Sequence, residues 1–157
     1  MSNMIQSKHF TDALLMLLTE TFEMVRCFYL DKGTSLFETL SGISAEEASI
    51  PVGRKCATLA AQVKHVAFYL EVVEKSVTDP DYPQVDWNEI WNHVNVVDET
   101  QWQEIQDELH QRYTDIQKLV KNAPEWPSER EIGGAMALLA HSAYHLGEIR
   151  QALCTLR

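Results

Sequence analysis

The sequence predicts an all-α fold, a four-helix bundle with long crossover connections, and three observations predict it. Four long stretches carry apolar residues at alternating steps of three and four, which is the spacing of one helix face. No stretch reads as a credible strand. Glycine and proline are scarce, 6 and 5 in 157 residues, and the prolines fall between the long stretches. A chain of this length fits one domain, residues 1–157, large enough to bury about two-thirds of the surface it would expose unfolded.

The first helix is expected from about Ser7 to Leu30, on the stripe Phe10, Leu14, Leu17, Met24 and Phe28 with Thr21 filling the gap. Leu15, Leu18, Phe22 and Val25 widen its apolar arc beyond one core face, and the simplest cover for the excess is a second copy, so a homodimer is expected. Gly33 reads as the helix stop. From Thr34 to Pro51 the mixture of Gly, Ser, Thr and short apolar pieces reads as a structured crossover with one or two helical turns.

A second long helix is expected from about Gly53 to Ser76, with Leu59, Val63, Val66, Leu70, Val73 and Val77 as its stripe. Asp79, Pro80, Asp81 and Pro83 break it. The next connection holds a candidate short helix, Asp86 to Trp91, before Asp98 or Thr100 opens the third long helix. That helix carries Trp102, Ile105, Leu109, Ile116 and Val120 and ends near Pro124. The fourth follows Pro127 and Ser128 on the stripe Ile132, Ala135, Leu139, Leu146, Ile149, Leu153 and Leu156. The short connection between the third and fourth makes them expected antiparallel neighbours, whereas the longer connections leave the topology open.

Thirteen Lys and Arg stand against 23 Asp and Glu, a formal net charge of -10. Such a surface repels phosphate backbones and anionic headgroups, so nucleic acid and membrane are not expected partners. The N-terminus has no basic segment joined to an apolar one, and Ala13 to Leu18 is too short to span a bilayer, which reads as a cytoplasmic protein. Cys27, Cys56 and Cys154 lack metal-type spacing and read as buried or semi-buried free thiols.

The chemistry gathers on histidines. His141 and His145 are four apart on the last helix, so two imidazoles can reach one ion without bending the backbone. Helical rotation puts both on the shoulder of that helix's apolar stripe. His65, off-centre on the second helix among Ala61, Phe68 and Val72, is the best third ligand. Three neutral imidazoles hold Zn²⁺, Ni²⁺, Fe²⁺, Mn²⁺ or a similar divalent ion and leave positions open. The plainer alternative is a partly exposed helix pair and a satisfied, semi-buried His65. Glu148 reads either as a carboxylate orienting a ligand or accepting a proton or as a solvated side chain, and Tyr69 and Tyr144 either as partners of bound water or as packing. Arg150 reads either as a contact for an anionic substrate or, more plainly, as a partner of Glu148 or of the helix C-terminus. His9, His93 and His110 read as surface or core-edge residues, and Trp87, Trp91, Trp102 and Trp126 as packing at the edge of the bundle.

The run His141-Ser142-Ala143-Tyr144-His145-Leu146-Gly147-Glu148-Ile149-Arg150-Gln151 strongly resembles the last-helix motif of the DinB/YfiT-like superfamily. Thr58-Leu59-Ala60-Ala61-Gln62-Val63-Lys64-His65-Val66 is similar to its second helix, and the spacing of Asp86-Trp87, Trp91 and Trp102 fits as well. The resemblance covers most of the chain from Gly53 onward; helix one and the crossover up to Val52 carry no matching motif. It implies a dimeric four-helix bundle whose divalent metal is held by His65, His141 and His145. It also implies a range of uses, among them transferases and isomerases working with low-molecular-weight thiols on small electrophilic substrates. The expected function is a metal-dependent enzyme activating such a thiol or water, a thiol S-transferase or hydrolase, with catalytic residues unassigned. The alternative is a helical stress-response or interaction protein with a structural metal.

Overall fold

A computed structural model describes residues 5–51, 57–79, 81–87 and 94–156. The chain is all-α: among the described residues there are six helices and no strand beyond one isolated bridge, Pro51 to Thr58. In chain order they are α1, Ser7–Phe22; α2, Leu36–Leu40; α3, Ala45–Ala48; α4, Leu59–Thr78; α5, Glu99–Asn122; and α6, Glu129–Leu156. No helix among the described residues is long and apolar enough to cross a membrane.

The first helix ends two turns before the expected Leu30, and a buried carboxylate explains why. Glu20, fully buried, accepts the backbone N–H groups of Arg26 and Phe28 on Oε2 at 3.2 and 3.0 Å and of Tyr29 and Leu30 on Oε1, both at 2.8 Å. Those four amides would otherwise donate along a continuing helix; bonded to the carboxylate, they fold residues 23–30 back over it. Cys27 takes a left-handed backbone, φ 62°, inside this wrap. Gly33 is also left-handed, φ 77°, but it turns the chain into α2 and ends no helix. Met24 and Phe28 therefore leave the expected stripe and stand exposed, at 52% and 58%. Leu18 and Phe22, read as surplus on helix one, are fully buried within the chain.

The crossover does contain two short helices, each started by a serine. Ser35 donates its N–H and hydroxyl to Glu38, and Ser44 and Glu47 close the same reciprocal pattern at α3. Ser49 then ties the crossover to the segment before α5, its hydroxyl accepting from the Val97 N–H at 2.9 Å. Trp102 Nε1 donates to the Ile43 carbonyl at 2.8 Å.

The second long helix starts later than Gly53, at Leu59, because Thr58 is extended and its hydroxyl accepts the Ala61 N–H. Gly53 itself lies outside the described residues, as do Cys56 and, from the expected helix Asp86 to Trp91, everything past Trp87; His93 is likewise outside. Asp98 rather than Thr100 opens α5, accepting from Gln101 N at 2.8 Å. The expected stripe of α5 is buried in full, with Tyr113 completing it. Lys64 with Glu108, and Arg112 with Glu71 at 3.0 Å, join α4 to α5 along their outer edge.

The pairing of α5 and α6 departs from expectation. They make little direct contact; α4 and α1 each pack on both and stand between them. Residues 123–128 are too stiff to reverse the chain tightly: Ala123 is extended and Pro124 and Pro127 deny backbone donors. Six extended residues reach about 20 Å, and Trp126 fastens them to α1 by stacking edge-on at Phe10 (4.8 Å) and donating Nε1 to Thr11 Oγ1 (2.8 Å).

The buried line of α6 also differs from the expected one. It runs Ala135, Leu138, Ser142, His145, Ile149 and Ala152, with Leu146 beside it, while Ile132 and Leu139 are only partly buried. Small and polar residues hold the inner face: Ser142 is buried by donating its hydroxyl to the Leu138 carbonyl at 2.9 Å. A hydrophobicity stripe rotates away from such positions. The two cysteines within the described residues, Cys27 and Cys154, are exposed rather than buried, one in the loop around Glu20 and one on the outer face of α6.

Candidate metal centre

Helix α4 presents His65 where it faces α6, and α6 presents His141 and His145 one turn apart on the facing side. One ring nitrogen from each of the three lies within 4.8 Å of the others. Ring centroids are 4.5 Å apart for His141 and His145, 4.8 Å for His65 and His145, and 5.4 Å for His65 and His141. Nitrogens bound to one tetrahedral ion stand about 3.4 Å apart, so ring rotations of the order of an ångström close the cluster on an ion.

The site lies deeper than its expected place on the helix shoulder. His65 is 6% exposed and His145 5%, while His141 is half-buried. Burial pushes His65 down to about 4, and the neighbouring His145 and His141 push the same way; His141 is lowered to about 4 by burial and then by His145. His145 is lowered too, by burial, against the pull of Glu148. All three rings are therefore neutral near pH 7, the form that offers a lone pair to a metal.

One atom points to a ligand. His141 Nε2 is fully buried and makes no hydrogen bond among the described residues. His145 Nδ1 has a partner, Glu148 Oε2 at 2.8 Å, which holds that ring in place. A buried polar atom without a partner is costly, and a cation is the group that three lone pairs and a nearby carboxylate accept together. The residues present fit a divalent ion.

An aromatic wall borders the cluster. Tyr69 stacks on His141, centroids 3.8 Å apart and planes 22° off parallel. Trp87 lies 6.2 Å from His65, 5.7 Å from Phe68 and 6.0 Å from Tyr69, so its packing on α4 brings it beside one histidine of the cluster. Sequence reasoning missed Trp87 here; its contact partners lie on a helix reached through a long connection, which no local spacing reveals. Tyr144, beside His145 at 5.1 Å, is exposed. Arg150 does not pair with Glu148: its Nη1 donates to Thr39 Oγ1 of α2 at 3.2 Å. His9 is exposed, and His110 stacks on Phe37 at 3.6 Å; neither joins the cluster. No family model, curated protein or solved structure matches the chain.

Proposed function

We propose that the protein is a metal-dependent enzyme of the DinB/YfiT-like type, a four-helix bundle that holds one divalent ion on His65, His141 and His145. The observation that carries this reading is the meeting of three neutral ring nitrogens within 4.8 Å, drawn from two helices and bordered by aromatic rings. A divalent ion there supplies a Lewis acid that lowers the pKa of a thiol or water at an open position. The chain's own residues do the rest. His65 and His145, almost fully buried, fix the ion's place; Glu148 beside His145 holds that ring's orientation. Tyr69 and Trp87 limit the approach of bulk water.

The reaction class this supports best is transfer of a low-molecular-weight thiol to a small electrophile, with hydrolysis second. Turnover of an electrophile panel with several thiols tests it: activity should disappear on chelation and return with one divalent ion, and turnover indifferent to metal removal would contradict the mechanism. A homodimer belongs to the same reading. Met24, Phe28 and Tyr29, all exposed beyond the end of α1, are the apolar residues offered to a second copy. Light scattering at micromolar concentration should give twice the chain mass; a monomeric mass removes the dimer.

A further inference from the structure

Where α4 and α5 end and α6 begins, the described residues enclose an open groove of about 930 Å³. Its walls are apolar, from Val73 and Val77 of α4, Leu119 of α5, Trp126 of the connection between α5 and α6, and Leu138 of α6. Small-molecule sites have this size and character.

Two features connect the groove with the histidines and with a ligand. Tyr69 lines it and also stacks on His141 at 3.8 Å, so a single aromatic ring separates the groove from the cluster. The second feature is the wall given by α6. Gly134 lines the groove inside a helix, where glycine is weaker than alanine, yet a Cβ added there meets nothing within 4 Å and its φ is not left-handed. Neither backbone conformation nor crowding requires the glycine, so a larger side chain at this position has room to project into the groove.

The charge at the rim selects among ligands. Glu74, Asp115, Glu125 and Glu131 line it against Lys118 and Arg130, and Lys118 is already joined to Asp115 at 2.9 Å. With a net charge of -10 on the chain, an anion gains nothing by entering.

We propose that this groove receives the electrophilic partner of the reaction, a compact apolar molecule without negative charge, and delivers it past Tyr69 to the metal. The inference rests on the metal-dependent reading above.

Two dyes that differ only in a sulfonate test it on the full chain: uncharged N-phenyl-1-naphthylamine and its 8-sulfonate. The uncharged dye should bind one per chain with a rise in emission, about tenfold more tightly than the sulfonate. Gly134→Phe and Ala137→Trp, which fill the groove from exposed positions, should each weaken it about tenfold while leaving thermal stability and Zn²⁺ stoichiometry unchanged. No binding of the uncharged dye, equal or tighter binding of the sulfonate, or indifference to both filled variants overturns the proposal. In protein carrying one Co²⁺ per chain, the bound dye should be quenched relative to the Zn²⁺ form; equal emission overturns the connection to the centre. Dye titration without metal and metal titration without dye fail independently, so loss of the groove and loss of the metal site are told apart.

Discussion

Two buried polar clusters lie in this molecule, and they are satisfied in opposite ways. Glu20 keeps its charge in the interior because four backbone amides converge on it; burial raises its pKa, the bonds to Tyr29, Leu30, Phe28 and Arg26 lower it, and the bonds prevail. The histidines stay neutral in theirs, with His141 Nε2 left without a hydrogen bond among the described residues. The first cluster is closed: every strong acceptor direction is used by the chain itself, and its product is the loop 23–30. The second brings one ring nitrogen from each of three histidines within 4.8 Å of one another, an arrangement that could hold a metal ion. The closed cluster builds structure; the open one is the candidate binding site.

Breaking the closed cluster should have the largest effect. Glu20→Ala strands four amides under a loop and should cost about 3 kcal/mol or more, read as a fall in Tm or in denaturant midpoint. Metal affinity should hardly change, because α4 and α6 carry the ligands.

Breaking the open cluster should behave in reverse. His141→Ala should leave the metal-free protein about as stable as before, since it removes a half-buried ring together with its buried, unsatisfied nitrogen. The stabilisation by added Zn²⁺, about 2.7 kcal/mol at a concentration one hundred times Kd, should vanish from the thermal melt.

Acid separates the clusters by pH. The histidine pKa values are depressed on folding, so the unfolded chain binds more protons between the ordinary value of 6.5 and about 4. Metal-free protein should therefore lose stability as pH falls through that window, less so in a His65→Ala, His141→Ala double variant. Glu20 is also depressed, from 4.5, so its contribution is complete above that value and is lost only as pH falls below it. Denaturant midpoints measured at closely spaced pH values resolve the two. A histidine-independent loss above pH 5 would contradict this division.

The smallest effect expected is that of Glu148→Gln, which keeps the shape and removes the charge beside His145 Nδ1. Metal affinity should fall about tenfold with the fold unchanged. An affinity equal to the parent's would make Glu148 a solvated side chain after all.

The helices were legible wherever local signals were strong. The stripe of α5 is buried as read, because its apolar and polar faces are sharply divided, and Asp98 starts it by a hydrogen bond that the sequence pattern displays. The early end of α1 was illegible because Glu20, fully buried, sits between Thr19 and Thr21 in a pattern that continues to Phe28; only its bonds to amides six to ten residues on reveal the break. The inner face of α6 was misplaced by one shoulder because Ser142 and His145, both buried, count as polar in a stripe. The diagonal placement of α5 and α6 depends on a stiff connection anchored through Trp126 to α1, a contact across 115 residues of sequence. Of the candidate site, the three histidines were legible from helical spacing and resemblance, whereas Trp87 and the groove beyond Tyr69 arise from packing between elements.

The most direct measurement is the metal content and divalent-ion titration of untagged protein purified without chelator. One transition-metal ion per chain is expected, bound or restored by titration, with site occupancy lost in both His65→Ala and His141→Ala while the helical spectrum is retained. Protein that carries no stoichiometric ion, takes up none, and melts at the same temperature with or without Zn²⁺ or Ni²⁺ would contradict the account.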